Sequence, residues 1–154
     1  ALDPQTGLKV ALIDVTAPPV FESAGGGLVS TASDYARFLQ LMLGRGTAPG
    51  PHGPVRLLDG ATVDFMTADH LGSLPVAGDI LPTGHGFGLG VAVRTASGLA
   101  TRPGSAGQYS WSGLGGTFFF VDPVEDLFAI LLTQAPGQLR YLCELYPALV
   151  YAAL

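Results

Sequence analysis

A chain of 154 residues that is 48% hydrophobic and only 12% charged carries about half the charge of an average soluble domain, roughly 25%, and its mean hydropathy is +0.42. A formal net charge of −5, with seven scattered Lys and Arg, excludes the basic footprint of a nucleic-acid binder. The longest apolar runs, 127–132 and 118–121, fall far short of the ~20 residues of a membrane span, so the surplus apolar surface reads as surface that something else covers.

Residues 1–30 read as a turn-rich lead-in, with Pro18-Pro19 and Gly25-Gly26-Gly27. No basic end followed by an apolar stretch opens the chain, so no secretory leader is expected and the cytoplasm is favoured. A helical part is expected over 31–86. Thr31 and Asp34 form a capping box, and Tyr35, Phe38, Leu39 and Met42 then recur at helical spacing until Gly44 and Gly46 stop the helix. Pro49, Gly50, Pro51, Gly53 and Pro54 mark a loop over 47–60. A short helix follows over 61–67 with Val63 and Met66 inward, then a loop over 68–86.

The sheet part spans 87–134. Phe87, Leu89, Val91 and Val93 alternate with small residues, which predicts one strand over 87–94 with another element packed close on its bare face. Residues 95–108 connect it to two strands at 109–122 and 127–134, joined by the turn Asp122-Pro123-Val124-Glu125-Asp126. The tail, 138–154, is helical, with Leu139, Leu142, Tyr146, Leu149, Val150 and Ala153 on one stripe; Pro147 predicts a bend or a break. This order implies an α+β domain, an antiparallel sheet flanked by helices.

Most nucleophile motifs are absent from these residues. No serine sits in G-x-S-x-G, the single lysine, Lys9, has Thr6 three residues before it, and there is no asparagine. The alternating glycines 84, 86, 88 and 90 miss the dinucleotide spacing. His52, His70 and His85 stand alone in loops and read as exposed or locally bonded. The lone Cys143 reads as a small buried hydrophobe, and neither a metal nor a cofactor is expected. One segment remains, Tyr109-Ser110-Trp111-Ser112-Gly113-Leu114-Gly115-Gly116-Thr117. Its small residues open the backbone to a ligand or to an oxyanion; a glycine-rich bulge with Trp111 in the core is the other reading.

Trp111-Ser112-Gly113, followed by Leu114-Gly115-Gly116-Thr117, an apolar strand and Asp122-Pro123, resembles the third active-site box of the β-lactamase and penicillin-binding-protein-like serine hydrolases. The stretches from Gly25 to Phe38, from Gly86 to Gly90 and from Leu131 to Gln134, and the last helix, are similar to the same superfamily in the same order. The resemblance is nearest to family VIII carboxylesterases. It implies a β-lactamase/transpeptidase-like fold whose N-terminal portion, absent from this chain, carries the Ser-x-x-Lys nucleophile and a tyrosine base. It assigns the Leu114 N–H to the oxyanion hole and places Trp111, Ser112 and Gly113 along the acyl pocket, with Tyr109 at its rim. Trp in place of the β-lactamase lysine favours a small neutral ester over a β-lactam. The implied partner is the complementary N-terminal chain; a non-catalytic module on the same scaffold, a β-lactamase or a D,D-peptidase are the alternatives.

Overall fold

A computed structural model of the chain describes residue 14 and residues 16–74 and 80–154. Residues 1–13 and 15 of the lead-in expected over 1–30, and residues 75–79 of the loop expected over 68–86, lie outside the described residues.

The first helix, α1 (Ala32–Leu43), starts where the capping pair puts it, the Thr31 hydroxyl accepting the Asp34 N–H at 3.2 Å. Leu39 and Met42 face inward and are buried, contributing about 1.5–3 kcal/mol each. Phe38, expected on the same stripe, lies at its exposed edge. Gly44 closes the helix because a Cβ there would meet the Thr47 carbonyl at 2.1 Å. The loop expected over 47–60 contains a two-residue ladder instead, β1 (Thr47–Ala48) against β2 (Val55–Arg56). Helix α2 (Gly60–Met66) follows, with Val63 buried.

Five strands then form one antiparallel meander: β3 (His85–Phe87), β4 (Ala92–Arg94), β5 (Tyr109–Ser112), β6 (Phe118–Asp122) and β7 (Leu127–Leu131), neighbouring in that order. Two expected strands are thus hairpins. The stretch 87–94 folds back through 88–91, where the Gly88 N–H bonds the Val91 carbonyl at 2.8 Å and Gly90 takes φ +90°. The stretch 109–122 folds back through 113–116, where the Gly116 N–H bonds the Gly113 carbonyl at 2.9 Å. Glycine adds no side chain to interrupt an alternating pattern, so both turns read as strand. The close packing inferred for the bare face occurs at Gly88, where a Cβ would meet the Met66 carbonyl, but not at Gly90, which faces open space; Gly86, just before that stretch, is crowded by the Asp69 carboxylate.

Helix α1 covers one sheet face, packing with Val93, Tyr109, Phe119 and Val121. On the other face, Phe118, Phe120 and Ala129 meet the C-terminal helix α3 (Leu139–Tyr151). Of the expected bend or break, the break does not occur: α3 runs continuously through the buried Pro147. Proline has no N–H for the carbonyl four residues back, and Arg102 Nη1 donates to that Cys143 carbonyl at 3.1 Å. The inner face of α3 carries Cys143, Tyr146, Val150 and Tyr151, whereas Leu149 is exposed. No helix of the described residues is long and apolar enough to cross a membrane.

Candidate functional site

Strand β5 carries the segment singled out by its sequence, and its two edges differ. Along one edge β6 pairs all four residues, Trp111 with Phe119 and Ser112 with Phe118. Along the other, β4 pairs only Tyr109 and Ser110, because the turn at 88–91 ends the β3–β4 hairpin there. From Trp111 onward the outer backbone edge has no strand beside it among the described residues. The cause is local: glycines place the hairpin reversal level with the middle of β5.

Beyond Ser112 the chain turns over residues 113–116. The Gly113 N–H bonds the Thr117 carbonyl at 2.9 Å, and Gly115 and Gly116 are tied to the chain after β7 by Ala135 N–H and by the Thr133 hydroxyl. Leu114 occupies the second turn position, 68% exposed. Among the described residues no hydrogen bond engages its N–H. A Cβ on Gly113 would lie 2.5 Å from the Thr117 hydroxyl, so glycine is what lets the Thr117 side chain pack against this turn.

The expected site residues do not all share one surface. Tyr109 is buried in the core under α1, with an unpartnered hydroxyl and a pKa raised by burial. Trp111 packs against that core and meets the Phe87 ring edge-on at 5.1 Å between centroids. It also borders a cavity of about 410 Å3, as do Ser110 and Ser112. Cys143 borders the same cavity, and burial is the main reason its pKa is raised.

That cavity also recruits residues the sequence reading had not placed at a site: Arg102, Phe118 and, from α3, Glu144 and Cys143, the last only partly buried rather than a buried hydrophobe. Arg102 is buried, its guanidinium 5.5 Å from the centre of the Phe118 ring. Burial lowers its pKa, with Glu144 opposing that effect. Nearby, Arg94 holds the carbonyls of Arg102, Pro103 and Gly104. His85 bonds the Thr83 carbonyl through Nδ1 while its buried Nε2 lacks a partner; burial is the main reason its pKa is lowered. A signal for Arg102 did exist in the sequence: Pro147 within a helix orphans one carbonyl and calls for an outside donor.

Comparison with known proteins gives one family match, described as "Beta-lactamase", over residues 3–154. The chain is 40% identical over 124 residues to the "Uncharacterized protein MT1414" of Mycobacterium tuberculosis (strain CDC 1551 / Oshkosh), an alignment covering 76% of this chain and 30% of that protein. The "Protein Rv1367c" of Mycobacterium tuberculosis (strain ATCC 25618 / H37Rv) is similar to the same extent, 40% identical over 76% of this chain and 30% of its own length. The chain therefore spans about a third of the length of these relatives.

Proposed function

The chain belongs to the beta-lactamase family, a serine-hydrolase-like scaffold, and on that premise we propose that it forms the substrate-receiving side of a carboxylesterase. The attacking side, a Ser-x-x-Lys serine with a tyrosine base, is assigned to a complementary N-terminal portion of the domain. In this reading the unpaired edge of β5 receives the acyl group, with Trp111 as its flat apolar wall and Ser112 and Gly113 along the strand. The Leu114 N–H polarises the ester carbonyl and holds the oxyanion of the tetrahedral intermediate, together with the nucleophile's own N–H. The serine ester then forms and is hydrolysed. Trp111 stands where a lysine would clamp a carboxylate, which favours neutral esters.

The observation that carries this reading is the exposed Leu114, whose N–H no hydrogen bond engages among the described residues, beside a bare strand edge. Leu114→Pro tests it, because proline removes that N–H at a turn position that readily hosts it. The complete protein, with its Ser-x-x-Lys portion, should hydrolyse short p-nitrophenyl esters. In Leu114→Pro, kcat should fall about 100- to 1000-fold while the melting midpoint stays close to wild type. Unchanged turnover would remove Leu114 from the oxyanion hole, and a complete protein lacking any Ser-x-x-Lys would favour a non-catalytic binding module.

A further inference from the structure

We propose that the cavity between β5 and α3 is a carboxylate-binding site centred on Arg102. A guanidinium offers five donors. Arg102 gives one to the Cys143 carbonyl at 3.1 Å and a long one to the Ser110 hydroxyl at 3.5 Å, and its buried Nε has no partner. Among the described residues the ion pairs are Arg37 with Asp34, Arg45 with Asp64 and Arg56 with Asp59, so none of the described carboxylates forms an ion pair with Arg102. Glu144 lines the same cavity, but its Oε2 already accepts the Thr101 hydroxyl at 2.9 Å. A buried, unpaired cation is costly, and a carboxylate matches the guanidinium fork in both charge and shape.

The walls refine the ligand class. Ile80, Pro82, Phe118 and Leu139 are apolar, and the volume of about 410 Å3 falls within the range of small-molecule pockets. An organic carboxylate with a short apolar tail fits these walls better than a bare inorganic anion. It has two possible sources, a free molecule or an Asp or Glu side chain from the protein's own polypeptide beyond these residues. The second source is open because the relatives are more than three times as long as the matched part. Trp111 and Ser112, placed along the proposed acyl pocket, border this cavity too, but Arg102, Ser110 and Cys143 have no part in ester hydrolysis, so labelling at Cys143 reads the carboxylate site separately from esterase turnover.

Cys143, the single cysteine of this chain, lines the cavity and reports on it. The complete protein is alkylated with iodoacetate or iodoacetamide and the Cys143 peptide is followed by mass spectrometry. If the site takes a free carboxylate, iodoacetate labels Cys143 severalfold faster than iodoacetamide, and hexanoate suppresses labelling where hexanol does not. If the protein's own carboxylate fills it, neither reagent labels the wild type. Arg102→Met then opens Cys143 to both reagents and Arg102→Lys keeps it closed. These variants are made in a Pro147→Ala background, where the helix supplies its own donor to the Cys143 carbonyl, and folding is checked by thermal melting. Labelling that ignores reagent charge and hexanoate overturns the proposal, as does a Cys143 that stays closed in both wild type and Arg102→Met.

Discussion

Asp122 has no accessible surface, yet its carboxylate is fully engaged. It accepts the N–H groups of Ser105 at 2.8 Å, Val124 at 3.1 Å and Glu125 at 3.4 Å, and the Tyr151 hydroxyl, which itself accepts from Gln108 Nε2 at 2.9 Å. Burial alone pushes its pKa up, but the Tyr151, Ser105 and Val124 bonds outweigh it and hold the carboxyl below its ordinary value. A depressed folded pKa gives stability that is complete above the unfolded value, about 3.9, and is lost as pH falls through the folded one. Asp122→Asn should therefore cost about 2 kcal/mol or more at neutral pH and flatten the acid limb of stability, read by urea unfolding from pH 2 to 6. An acid limb as steep as wild type would place its source elsewhere. The turn at Asp122-Pro123 was legible in the sequence. The network was not, because Tyr151 meets Asp122 and Gln108 only after α3 docks.

At the scale of elements, legibility follows the range of the interactions. Helix α1 was readable because its cap and its apolar spacing are local. The β3–β4 and β5–β6 reversals were hidden because glycines 88, 90, 113 and 116 both make the turns and continue the small-residue pattern of a strand. The bare backbone around Gly113 was legible for the same reason, whereas Arg102 gains its role only when Pro147 leaves the Cys143 carbonyl without a helical donor. This pairing makes a testable coupling. Interior prolines cost about 3 kcal/mol in a helix, but Pro147→Ala should change stability by far less, since Arg102 already serves the carbonyl and the buried ring would be lost. Arg102→Met should be markedly more damaging with Pro147 present than after Pro147→Ala. In a double-mutant cycle by urea unfolding, the expected coupling is about 1 kcal/mol or more; additive effects would mean that the two residues act independently.

For the whole molecule, the low charge anticipated uncovered surface, and the fold locates it. Phe21, Leu28 and Val29 stand exposed ahead of α1. Among the described residues strand β7 ends the sheet with an apolar edge, Leu127–Leu131, followed by the exposed Leu132. An apolar edge strand with free N–H and C=O groups recruits another strand or aggregates, and one large apolar patch per monomer normally marks an interaction site. The proposed N-terminal complement would satisfy the edge, the patch and the missing nucleophile together, which is why a single partner accounts for them better than three separate causes. Produced as these 154 residues, the chain should enhance the fluorescence of a hydrophobic dye severalfold and self-associate as concentration rises, and the complete protein should do neither. A 154-residue chain that stays monomeric and dye-silent in sedimentation and fluorescence would show that these surfaces close on themselves, and the receiving-side reading would lose its structural basis.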